Sequence, residues 1–226
     1  MHASYNTSNT SLSFNTIFSL FLLCVVSLAG CSSAYYSAME KVGVHKRDIL
    51  IDRVEKARDS QAEAQEQFKS ALDQFNSVVQ LKNTDLKDAY ERLAAEYEDC
   101  KKAAEKVSER IDKVEDVSEA LFAEWEQELD LYDNNELRRA SQQQLRATRT
   151  RYEKMLRSMR TAEASMTPVL KTFRDNVLFL KHNLNAQAIG SLQAEFSSLE
   201  KDIDALIKKM NEAIGQSNAF IEQMGS

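Results

Sequence analysis

Proline occurs once in these 226 residues, at Pro168, and glycine five times. Chain breakers this scarce cannot supply the turns of a sheet protein, so β-rich architectures are excluded. Histidine is nearly as rare. His45 and His182 are the only two beyond the first few residues, too far apart to suggest a metal site with Cys100. Neither Glu-x-x-His nor His-Glu-x-x-His occurs, which removes the di-iron bundle and zincin signatures. A Gly-x-Ser-x-Gly elbow and a phosphate-cradling glycine loop are missing too. The expectation is a protein that is not an enzyme and holds no metal.

Long apolar runs are also scarce, and the one present is informative. Ile17, Phe18, Leu20, Phe21, Leu22, Leu23, Val25, Val26 and Leu28 lead into Leu28-Ala29-Gly30-Cys31. A secretory signal has an apolar segment of about 7–15 residues followed by small residues at the cut. A membrane span needs about 20. The order therefore predicts a lipoprotein signal over residues 1–30, cleaved between Gly30 and Cys31, with Cys31 carrying diacylglycerol and an N-acyl chain. Two or more chains anchor stably where one does not. That covalent lipid is the only group expected beyond the chain itself. Residues 1–16 depart from the pattern, because they contain no Lys or Arg where such a region is ordinarily basic. With Cys24 removed and Cys31 acylated, Cys100 has no partner for a disulfide. It is expected to pack as a small hydrophobe.

After residue 30, apolar residues recur at spacings of three and four over long distances. The first seam runs Leu50, Val54, Ala57, Gln61, Ala64, Phe68, Ala71, Phe75, Val78. A polar stop at 82–85 follows, with Asn83 or Thr84 placed to cap the next helix. The second seam runs from Leu86 through Cys100, Ile111, Leu121 and Trp125 to Tyr132, and Asp133-Asn134-Asn135 breaks it. The third runs from Leu137 through Ser141, Gln144, Thr148, Met159 and Phe173 to Leu184. The fourth runs from Ile189 to Phe220, after a phase slip among Asn183 and Asn185. Four long helices with short connections predict an all-α, elongated, antiparallel four-helix bundle of coiled-coil character. The expected domains are the signal (1–30), a lipidated tether with a short lead-in helix (31–46), and the bundle (47–226). Gly43 is expected to end the lead-in helix, and Pro168 to kink the third long helix in preference to starting a fifth.

Charge supports the hairpin between the second and third long helices. From Asp112 to Asp133 there are nine acids and one base; from Glu136 to Arg160, eight bases and two acids. Both blocks oppose the helix dipole, so another force must favour them. Folding about Asn134 lays them side by side, which fixes register and partner choice. Arg138, Arg139, Arg146, Arg149, Arg157 and Arg160 share a sector about 100° wide at 100° per residue. They form a candidate stripe for phosphate groups, anionic glycans or an acidic partner, though pairing with the neighbouring acidic helix is the simpler use. Lys41, Lys46 and Arg47, close to the acylated cysteine, are candidates for phospholipid headgroup contacts. Gln61, Ser141, Gln144 and Thr148 form a candidate polar layer, for register or for a ligand.

Two stretches, Leu28 to Leu50 (LAGCSSAYYSAMEKVGVHKRDIL) and Phe173 to Ile189 (FRDNVLFLKHNLNAQAI), resemble a family of proteobacterial lipoproteins known only as a domain of unknown function. The resemblance implies an envelope address and a helical fold, and supplies no catalytic residues. The expected function is a non-enzymatic, lipid-anchored structural or adaptor rod on the periplasmic face of the outer membrane. Ser32, in place of an aspartate after the cysteine, points to the outer membrane. Its partners would be the membrane and an envelope protein or the cell wall. Nucleic acid is excluded by the export signal and a net charge of −6. The alternative is a periplasmic ligand-binding or sensing bundle.

Overall fold

The computed structural model describes residues 30–80 and 86–225. The apolar run 17–28 and the capping residues expected at 83–84 lie outside the described residues. The chain divides into two compact units, residues 1–45 and 46–226.

In the first unit α1 spans Gly30–Lys41. Gly43 ends it as expected, with φ +83°, a conformation that only glycine adopts without strain. Its N–H donates to the Glu40 carbonyl at 2.9 Å, and the Val44 N–H donates to Met39 at 3.0 Å. These paired bonds close off the last carbonyls of the helix.

The second unit is built from α2 (Lys46–Val79), α3 (Leu86–Glu128), α4 (Asn135–His182) and α5 (Ala186–Gly225), with a 3-10 turn at Leu129–Leu131 between α3 and α4. At 1.5 Å per residue the 48 residues of α4 extend about 70 Å. Each long helix packs on its sequence neighbours, and α2 packs on α5 to close the ring. All four contacts are antiparallel. Gln67 meets Glu96 and Lys46 meets Glu124; Arg149 meets Glu126 and Arg160 meets Asp112; Ser165 meets Lys209; Arg58 meets Asn218. The expected all-α antiparallel four-helix bundle is the fold.

Side-chain oxygens of asparagine set two of the turns. Asn134 Oδ1 accepts from the N–H groups of Glu136 and Leu137 at 2.8 and 3.2 Å. Asn185 Oδ1 accepts from the Ala188 N–H at 3.1 Å. Both satisfy donors that a helix start leaves bare, worth about 1 kcal/mol each. Pro168 lies inside α4, which continues unbroken to His182; no fifth bundle helix begins there.

Every residue of the first seam is buried. The core contains an aromatic cluster. Phe75 meets Phe173 and Phe196 at centroid distances of 6.2 and 6.0 Å, and Tyr97 meets Phe173 edge-on at 6.1 Å. Each fully buried Phe or Leu contributes about 1.5–3 kcal/mol through water exclusion. The seams overreach at the ends, where Leu137 and Leu184 are exposed. They also miss Ala89, Val117 and Phe122, which are buried on the flank of the α3 seam. A helix inside a four-helix ring buries a stripe wider than two positions per heptad.

Candidate functional site

The bundle has two ends. The distal end holds the close of α2, the start of α3 and the Asn183–Asn185 turn. The proximal end holds the start of α2, the α3–α4 turn and the close of α5. Met224 of α5 lies at the level of Thr148, so α4 runs more than three turns beyond the end of α5 toward its own cap at Asn134.

A pocket of about 460 Å³ lies at this proximal end. Arg47 of α2, Leu121, Glu124, Trp125 and Glu128 of α3, Gln144 and Thr148 of α4, and Gln223 and Met224 of α5 line it. Its volume falls within the range of small-molecule sites, about 300–1,000 Å³. Leu121, Met224 and Thr148 are buried. The indole N–H of Trp125 donates to Ser141 Oγ at 2.8 Å, which ties α3 to α4. Lys46 Nζ donates to Glu124 Oε1 at 2.8 Å, tying α2 to α3. The Arg47 guanidinium donates to the Met224 carbonyl near the close of α5, where a cation suits the exposed carbonyls.

Of the candidate polar layer, Gln144 and Thr148 line this pocket and Ser141 bonds the Trp125 that lines it, while Gln61 lies deeper in the core. Gln61 is fully buried, and neither its amide nitrogen nor its oxygen has a hydrogen-bond partner. Such an orphan costs about 1–3 kcal/mol. The sequence reading missed Glu124, Glu128 and Met224 as site residues. The signal available was the chain's only tryptophan, on a seam facing the polar positions 141, 144 and 148.

The arginine stripe is largely taken up by the acidic helix. Arg138 pairs with Asp130 at 2.7 Å and Arg149 with Glu126 at 2.7 Å. Arg149 also lies 4.9 Å from the centroid of the Phe122 ring, a cation–π contact. Arg160 bonds Asp112 at 2.6 Å, Glu163 at 2.8 Å and Glu115. Partial burial works against its charge, but the hydrogen bonds to Glu115, Glu163 and Asp112 outweigh it and raise its pKa. Among the described residues Arg157 reaches only Glu153, on its own helix, at 4.0 Å. Arg139 and Arg146 form no ion pair among the described residues.

The three headgroup candidates separate. Lys41 is exposed at the last turn of α1, and Arg47 is exposed beside the pocket. Lys46 is 9 % exposed and held by Glu124, so a headgroup contact there would have to break that pair. The backbone of Cys31 belongs to α1.

Cys100 is buried as expected, its thiol pointing to the Gln67 carbonyl at 3.7 Å. Burial, with a smaller push from Glu96, raises its pKa to about 12. A thiol held protonated is a poor nucleophile. His45 and His182 are exposed and far apart along the chain. Among the described residues no three His, Cys, Asp or Glu side chains gather as metal ligands do, and no helix is long and apolar enough to cross a membrane.

Fold and site define an antiparallel four-helix-bundle protein with a mixed polar and apolar pocket at one end. A model of proteins of unknown function, DUF2959, matches residues 35–224, and the chain belongs to that family. No curated protein and no solved structure matches it.

Proposed function

We propose that the protein is a lipid-anchored component of the cell envelope, acting without catalysis as a structural or adaptor rod on the periplasmic face of the outer membrane. The observation that carries the reading is the order Leu28-Ala29-Gly30-Cys31 closing an apolar run, with a bundle in place of any catalytic constellation behind it. Acylated Cys31 would tether the chain fifteen residues before Lys46, where α2 begins. Arg139 and Arg146, outside the ion-pair network, are the part of the stripe available to an acidic envelope partner.

The test is labelled palmitate with membrane fractionation of the wild type and of Cys31→Ala. The wild type takes label and sediments with membranes, and the variant does neither. A wild type that takes no label and stays in the soluble fraction ends this reading. In-cell crosslinking then tests the adaptor role, which fails if only monomer is recovered.

A second reading, a ligand-binding or sensing bundle, is favoured by the proximal pocket. Gln144 and Thr148 converge there with Trp125, whose ring Ser141 holds, in a cavity large enough for a small molecule. A thermal-shift screen with small periplasmic metabolites separates the two readings, since an adaptor rod shows no ligand-dependent rise in melting temperature.

A further inference from the structure

The proximal pocket holds two opposite charges that are not used on each other. The clefts around Asn176, Glu119 and Ser158 each draw their walls from two helices; this one draws on all four. Glu124 is occupied by Lys46. Glu128, one turn further along α3, forms no hydrogen bond or ion pair among the described residues. Arg47 has a neutral carbonyl as its partner and four further N–H donors. Both charges wall the same cavity, yet no ion pair within 4.0 Å joins them. Trp125 stands between the two carboxylates in sequence, its N–H already bonded to Ser141. What it has left to offer a ligand is its ring, and an indole ring attracts ammonium groups. Leu121 and Met224, 9 and 6 % exposed, supply an apolar patch, and Thr148 a hydroxyl.

We propose that this pocket binds a zwitterionic group. The ammonium sits against Trp125 and Glu128, the anionic end is held by Arg47, and an adjoining apolar part rests on Leu121 and Met224. A lone cation would leave Arg47 facing it, and a lone anion would leave Glu128 facing it, so the pocket discriminates against both. The shared chemistry is an ammonium and an anionic group a few bonds apart, and an ammonium with a phosphate is the form taken as the probe. A free aminoalkyl phosphate has it, and so does the headgroup of an ethanolamine phospholipid. The inference rests on the ligand-binding reading of the bundle and adds the ligand's charge pattern to it.

Trp125 is the only tryptophan in the chain, so its fluorescence reports on this pocket alone. The full-length protein is titrated with phosphoethanolamine, tetramethylammonium, inorganic phosphate, short-chain phosphatidylethanolamine and an uncharged alkyl glucoside. Phosphoethanolamine or its short-chain lipid is expected to shift the emission at concentrations at least tenfold below those needed for the cation or the phosphate alone. Saturation by phosphoethanolamine itself identifies a free zwitterion; a requirement for the acyl chains identifies the lipid. Glu128→Gln, at an exposed position, is expected to weaken the zwitterion about five- to tenfold. It should leave the melting temperature unchanged and should not weaken the response to phosphate, which loses an opposing carboxylate. Binding of the glucoside as well as or better than either zwitterion overturns the charge assignment while the ligand-binding reading stands. No response to any of the five overturns both. Equal binding of zwitterion and single ions, or an unaltered Glu128→Gln, overturns the proposal.

Discussion

The two halves of the bundle are held by different forces. In the distal half Phe75, Phe173, Phe196 and Tyr97 interlock across all four helices. Most ion pairs formed there, Lys69–Glu66, Lys87–Glu91, Lys101–Glu98, Lys102–Asp99 and Arg174–Asp175, stay within single helices, and Lys106–Glu63, near the middle of the bundle, joins α2 to α3. In the proximal half Lys56–Asp52, Arg58–Asp59, Lys113–Glu109 and Arg157–Glu153 also stay within one helix, but further pairs cross between helices, at Lys46–Glu124, Arg138–Asp130, Arg149–Glu126 and around Arg160. There too lie the buried polar side chains Ser60, Gln61, Ser118, Thr148 and Ser217, and the pocket. The distal half therefore stabilises the fold through apolar packing, which salt scarcely weakens. The proximal half sets register through charge, at about 0–1 kcal/mol per exposed pair, and tolerates an imperfect core. A site is more readily built where packing is already incomplete.

The largest effect that would sharpen this contrast is expected from Phe173→Ala. Removing a ring that touches Phe75 and Tyr97 should cost about 3–5 kcal/mol, read from the midpoint of urea unfolding, with little dependence on salt. An effect of opposite sign is expected at Gln61. Replacing it by Met, of similar length, removes an unsatisfied buried amide and should raise stability by about 1–2 kcal/mol. A loss would mean that the amide has a partner in solution and that the proximal core is better satisfied than its contacts indicate. Arg160→Ala should cost about 1 kcal/mol in dilute buffer, and most of that difference should vanish near 1 M salt, where charges are screened within about 3 Å. A salt-independent loss would assign Arg160 to packing instead.

The smallest effect is a shared alkaline one. Burial raises Cys100 to about 12, and burial likewise raises Tyr152 to about 12. Both are acids whose protonated forms the fold favours. Their contribution is fully present below the ordinary thiol and phenol values, 9.0 and 10.0, and is lost as pH climbs from there toward 12. Stability measured from pH 9 to 11 should fall less steeply in Cys100→Ala combined with Tyr152→Phe than in the wild type.

Much of this architecture was legible in the sequence. The 3-4 spacing of the first seam located buried positions at every step, and Asn134 and Asn185 marked helix starts through their side-chain oxygens. The opposed charge blocks foretold the α3–α4 pairing, because an antiparallel neighbour brings the bases of α4 beside acids such as Asp112, Glu115 and Glu126. Leu137 was misjudged for a tertiary reason. Its spacing continues the seam, but α5 ends well before its level. The pocket was hidden for the same reason. It arises from where α2 begins and α5 stops against α3 and α4, and periodicity within one helix carries no record of another helix's length.

The measurement that bears most directly on the two-force account is amide hydrogen exchange of the whole chain in low salt and in 1 M salt. Protection along residues 112–126 and 149–163 should fall in high salt, while residues 68–78, 93–100 and 169–180 keep theirs. Equal loss in both sets, or a loss confined to the distal set, would contradict it.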